Sequence, residues 1–150
     1  MHGEFRQAAS KHIRGNCCPR CTNKFSKPHQ KVVNYLLNLG YIENIDFEID
    51  NRKEIRNPIT NRPLELDIYF PAKRIAIEID GVYYHPEDYS DIAKHSSVRK
   101  RVALEKTYMR SMMKPSLCEE RSIKLLTFTD TEINEEWDRV IEEINLNLDH

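Results

Sequence analysis

A chain of 150 residues and 17.8 kDa accommodates one domain, or one domain with a small appendage, and is too short for two full ones. Charged residues make up 31% and hydrophobic ones 39%, which excludes a disordered or collagen-like chain, and no apolar run approaches the ~20 residues of a membrane span. The net charge of −1 hides a segregation: Lys and Arg outnumber acids seven to one in residues 1–40 and nine to three in 94–124, whereas acids lead twelve to six in 41–93 and eight to one in 130–150.

Two basic blocks around an acidic middle suit a protein that grips a polyanion while keeping carboxylates for another task; solvated charged faces give the same distribution. The opening stretch MHGEFRQAASKHIRG lacks the apolar run of a signal peptide, so a soluble, cytoplasmic protein is expected. Three of the four cysteines, Cys17, Cys18 and Cys21, fall together and make a poor disulfide framework. The Cys18–Pro19–Arg20–Cys21 spacing is that of a metal knuckle, because a short turn brings both sulfurs to one side of a tetrahedral zinc ion. His2 and His12 could complete such a site, Cys17 could replace either neighbouring thiolate, and free thiols in a surface turn are the alternative.

Beyond this knuckle, Ser26 as N-cap, Pro28 and the apolar positions Val32, Val33, Leu36 and Leu39 predict a helix of about three turns closed by Gly40. Ile45, Phe47 and Ile49 alternate with acids and predict a strand, and 57–61 reads as a loop. In Leu64–Phe70 the residues 64, 66, 68 and 70 are apolar, with Glu65, Asp67 and Tyr69 on the other face; Ile75, Ile77 and Ile79 repeat the pattern, with Glu78 and Asp80 opposite. A hairpin follows. If Phe70 pairs with Ile75, Asp67 lies opposite Glu78 and Glu65 opposite Asp80, so that four carboxylates share one patch of sheet.

Opposed like charges cost stability unless a cation or basic side chains neutralise them. Oxygen-only ligands point to a hard ion such as Mg²⁺ or Mn²⁺, held by one or two carboxylates with water and substrate phosphate; salt bridges to Lys73, Arg74 or the following helix are the alternative. Gly81 ends the strand, and His85 lies five residues past Asp80, where it could pass protons to water or to a leaving oxygen.

From about Asp91 to Met113 the chain is helix-compatible and basic, with Arg99, Lys100, Arg101, Lys106, Arg110 and then Lys114, and Tyr108, Met109, Met112 and Met113 are expected to face the core. Pro115 is expected to interrupt this helix, a second short helix to carry Leu117 and Cys118, and residues 123–128 to form a buried strand. A strand–helix–strand crossover is implied. Thr129 to Glu132 forms a capping box for a final helix whose stripe is Ile133, Trp137, Val140, Ile141, Ile144 and Leu148.

The run ELDIYFPAKRIAIEIDGVYYH, followed after a basic helix by KPSLCEERSIKLLTF, resembles the PD-(D/E)XK nuclease superfamily, and within it the very-short-patch mismatch-repair endonucleases and related phage homing endonucleases. The opening HGEFRQAASKHIRGNCCPRC resembles a treble-clef zinc module. Together these imply an α/β fold, a mixed sheet flanked by helices, over 26–150, with a zinc-knuckle-like appendage over 1–25. The resemblance makes Asp67 the central metal-binding aspartate and Glu78 its partner. Asp80 falls where the superfamily has lysine, His85 matches a histidine of the mismatch-repair branch, and Lys114 matches a basic residue on the helix side. His29 stands where related first helices often carry glutamate. The expected activity is metal-dependent hydrolysis of DNA phosphodiesters, with Asp80 as a further Mg²⁺ ligand or water-positioning group and the basic helix on the phosphates. A non-catalytic DNA-binding or assembly module is the alternative.

Overall fold

The computed structural model describes residues 26–81 and 97–149. Its elements are α1 (Lys27–Asn38), β1 (Glu48–Arg56), β2 (Pro63–Phe70), β3 (Ile75–Asp80), α2 (Val98–Glu120), β4 (Lys124–Thr129), α3 (Asp130–Glu135) and α4 (Trp137–Leu148). The four strands form one mixed sheet in the order β1-β2-β3-β4, with β1, β2 and β3 antiparallel and β4 parallel to β3, so α2 serves as the crossover. This is an α/β fold with helices on both faces. Among the described residues no helix is long and apolar enough to cross a membrane.

Each face buries its own cluster. On one side Val32, Val33 and Leu36 of α1, Ile133 of α3 and Val140, Ile144 and Leu148 of α4 close over Ile68, Phe70, Ile75, Ile77, Leu126 and Phe128. On the other side Cys118 of α2 and Ile123 cover Leu64, Leu66, Tyr69 and Ala76. At about 1.5–3 kcal/mol for each large apolar side chain removed from water, the first cluster supplies most of the driving force for folding.

The helix starts follow local chemistry. Ser26 accepts a hydrogen bond from the His29 N–H at 3.3 Å, and Gly40, at φ 95°, takes the left-handed conformation that ends α1. At α3, the Thr129 hydroxyl accepts from the Glu132 N–H at 3.2 Å while the Glu132 carboxylate accepts from the Thr129 N–H at 2.7 Å. The expected capping box is present. Thr129→Ala should therefore cost about 1 kcal/mol in urea denaturation; a variant as stable as the parent would show that α3 is held by Ile133 burial alone.

Several expectations are corrected. The first strand begins at Glu48, and Ile45 lies in the preceding turn, 74% exposed, because the Asp46 carboxylate binds the Ile42 N–H and curls the chain there. Leu39 is exposed at the end of α1. Pro115 does not break the helix. Lys114 before it is fastened to Glu78, and Cys118 after it is wholly buried, so both flanks are anchored to the sheet and α2 runs through as 23 residues. Met109 and Met112 are exposed, whereas Leu104 and Cys118 of the same helix are buried. The C-terminal helix is two helices, broken at Glu136.

The most consequential difference lies in the hairpin. Ile68 and Phe70 pack on the α1 side and Leu64 and Leu66 on the α2 side, so the alternation changes phase at Asp67. The facing strand changes with it. Pairs Ile49–Ile68 and Asn51–Leu66 bracket Asp50 and Asp67, and Asp50 has a φ of 54°, a left-handed conformation that aspartate tolerates better than most residues. Beyond it, four residues of β1 advance against two of β2, a bulge held by the Asn51 carboxamide, which accepts from the Lys53 N–H at 3.0 Å.

Candidate active site

The β2–β3 ladder pairs Phe70 with Ile75, Tyr69 with Ala76 and Ile68 with Ile77, the register expected from the sequence. Its continuation sets Asp67 against Glu78. There the strands exchange side chains: Glu78 Oε1 accepts from the Asp67 N–H at 3.1 Å, and Asp67 Oδ2 accepts from the Ile79 N–H at 2.9 Å. The second oxygen of Glu78 is bound by the Lys114 ammonium from α2, with the glutamate side chain 5% and the lysine side chain 17% exposed.

Two carboxylates in this setting are hard to ionise together. Burial, and after it the Asp67 charge, pushes the Glu78 carboxyl up to about 7, against the pull of Lys114. Asp67 is also held above the usual aspartate range, by burial first, with the Glu65 charge adding to it; the Ile79 N–H, Lys114 and His29 oppose the shift. Asp67 further lines a cavity of about 320 Å³ with Ser26, His29, Asp50, Arg52, Glu65 and Ile79. Burial raises Asp50 there as well, reinforced by Glu65 and Asp67.

The four expected carboxylates do not occupy one patch. Asp67 is the link between two environments: Glu78 and Lys114 beside α2, and Asp50, Glu65 and His29 beside α1. Glu65 is paired with Arg52, whose Nε donates at 2.7 Å. Asp80 stands at the end of β3 next to Thr129 of β4, and its charge adds to burial in raising Asp130. The phase change at Asp67 leaves Glu65, paired with Arg52, bordering both the cavity beside His29 and the one that reaches Lys114.

Lys114 meets Glu78 directly, where the sequence suggested only a phosphate contact. Arg99, Lys100, Arg101, Lys106 and Arg110 all lie on α2; Arg99, Lys106 and Arg110 are exposed and Arg101 is half-buried. His85, and the zinc candidates Cys18, Cys21, His2 and His12, lie outside the described residues. Lys73 and Arg74 do not neutralise the acids of the site. Lys73 binds the Leu148 carbonyl, and Arg74 reaches Glu54 at 3.2 Å and the Tyr69 hydroxyl at 3.0 Å.

Asp50 and Arg52 were not anticipated. Alternation within a strand cannot reveal a bulge, and an aspartate with a left-handed φ is its only local trace. Cys118, wholly buried, has its thiol pushed up to about 11 by burial and then by the Glu78 charge, which leaves it a packing residue rather than a nucleophile.

Among the described residues no group of three or more His, Cys, Asp or Glu side chains is arranged to enclose an ion unaided. Asp67 and Glu78 offer oxygen donors of the kind Mg²⁺ takes, one or two carboxylates with water and phosphate oxygens completing the shell, although Glu78 Oε1 and Oε2 and Asp67 Oδ2 already accept from the Asp67 N–H, Lys114 and the Ile79 N–H. Zinc is a poor match for these all-oxygen donors. No family model, curated protein or solved structure matches the chain.

Proposed function

We propose that this chain is a metal-dependent DNA endonuclease of the PD-(D/E)XK kind, related in chemistry to very-short-patch repair and phage homing endonucleases. One observation carries the reading: Asp67 and Glu78, on adjacent antiparallel strands, are tied to the backbone amides of Ile79 and Asp67 respectively, share a raised affinity for protons, and Glu78 meets a lysine from the crossover helix. Perturbed, coupled carboxyls beside a basic group are the usual companions of hydrolytic chemistry.

Asp67 and Glu78 would hold Mg²⁺ or Mn²⁺. The bound ion would supply charge stabilisation at the phosphate and a more acidic water. Lys114 fixes the rotamer of Glu78 and offsets its charge, and the Ile79 N–H does the same for Asp67. The buried flank of Glu78 keeps bulk water from that oxygen pair, and its raised affinity for protons makes loading of the ion compete with protonation. Asp80 and His85 are proposed as the water-positioning group and the general acid or base. The cations of α2 would hold phosphates irrespective of sequence.

The non-catalytic alternative has one observation in its favour: Glu65 and Glu78 are already ion-paired, with Arg52 and Lys114. Supercoiled plasmid incubated with the protein in Mg²⁺, Mn²⁺ or EDTA separates the two. Nicked or linear product with either metal and none in EDTA is expected; intact plasmid in every lane, with DNA still bound, would make the chain a binding module.

A further inference from the structure

We infer that the groove between the β1–β2 loop and α2 carries one sugar-phosphate strand of the substrate away from the Glu78–Lys114 pair, with Arg62 and Arg110 as the clamp on its phosphates. The inference rests on the nuclease reading and adds to it the path of the strand.

The groove has two continuous parts. The first, about 390 Å³, begins at Lys114 and is bordered by Arg52, Glu65, Arg62 and Arg110 over Leu64. The second, about 580 Å³, shares Arg62, Leu64 and Arg110 with the first and extends over Val102, Met109 and Met113 past Lys106 and one acid, Glu105. A single small phosphate would fill only a fraction of this length. A basic rim over an apolar floor suits a chain of alternating phosphates and sugars.

The charges divide unequally. Arg52 is taken by Glu65, and Lys114 by Glu78. Among the described residues neither Arg62 nor Arg110 has an ion pair, and both are exposed. They come from different elements, the loop before β2 and the middle of α2, yet they border the same two cavities. Arg110 lies one helical turn from Lys114, about 6 Å along the axis, so a strand whose reacting phosphate is at Lys114 meets Arg110 next. Two cations that have no carboxylate partner among the described residues, on two elements that border one groove leading to Lys114, are placed to neutralise a polyanion. Arg62 lies in the acidic segment of the sequence, and only the fold brings it to the basic helix.

The test is binding of duplex DNA in EDTA, followed by fluorescence anisotropy across a salt series. Arg62→Gln/Arg110→Gln should bind unrelated sequences uniformly more weakly, with a log–log salt slope shallower by about 1.8, two contacts at roughly 0.9 each. Arg62→Lys/Arg110→Lys should keep the parent slope, and Lys124→Gln, at the far end of β3 from Glu78, should match the parent throughout. Thermal unfolding should be unchanged in all three. A double glutamine variant with the parent's affinity and slope overturns the clamp, as does a groove that holds polyglutamate while DNA binding is untouched. A parent that fails to bind DNA overturns the nuclease reading itself, which is a different result from a parent that binds and a variant that binds equally.

Discussion

Asp67→Asn is expected to lose metal-dependent cleavage by about 10³-fold, the scale on which removal of one preorganised charge from a water-excluded site acts, while unfolding at a temperature no lower than the parent. The amide is the cleaner replacement because its oxygen can still accept from the Ile79 N–H, as Oδ2 does at 2.9 Å, so the strand exchange survives. What disappears is one anion that burial and Glu65 already make costly to ionise. Glu78→Gln is less clean, since its new NH₂ would face the Lys114 ammonium, donor against donor. Cleavage assays and calorimetry on the same preparation decide the matter. Parent-like cleavage by Asp67→Asn removes the aspartate from the chemistry; a large loss of stability would make it a structural residue.

Lys114→Met should destabilise the fold strongly at about pH 8.5 and little at about pH 5.5. Removing one member of a buried pair commonly costs about 3–5 kcal/mol, because the remaining charge is left uncompensated. Here the remaining group can escape by taking a proton. In the parent, Glu78 sits at about 7 in the folded chain against an ordinary value of 4.5, so the folded state holds the extra proton between those limits. The corresponding stability is fully present below about 4.5 and is lost as pH rises through about 7. Without Lys114, which pulls the value down, the window extends upward and the loss continues into alkaline pH. Urea denaturation at the two pH values measures this, and Lys114→Met/Glu78→Gln should recover most of the alkaline loss. Equal destabilisation at both pH values would show that the lysine acts through packing of its stem alone.

The hairpin register was readable because isoleucines and acids alternate with a period of two on both strands and a four-residue turn fixes their offset. That was enough to oppose Asp67 to Glu78. It was not enough to place Glu65, because the phase change at Asp67 depends on the bulge in β1, and the bulge depends on Asp50 and Asn51 settling their backbone locally. The capping box at Thr129 was legible because its bonds span three residues, whereas the continuity of α2 through Pro115 was not, because the contacts that hold it come from β3 and the second core cluster. The partner of Lys114 was hidden for the same reason. A helix sequence advertises its charge, and only the crossover decides which strand residue that charge meets.

The exchange of side chains between β2 and β3 writes the state of the site into the backbone. The amides of Asp67 and Ile79 donate to carboxylate oxygens, one to Glu78 and the other to Asp67. A proton on either acid directly weakens the acceptor for one amide, and because the two carboxyls feel each other's charge, both N–H resonances carry both steps with unequal weight. A divalent cation held by the two carboxylates, as proposed, would instead shift the resonances with metal concentration at fixed pH and displace protons rather than add them. Protonation and metal loading, which look alike in a rate profile, are thereby distinguishable in the chain before any substrate is present.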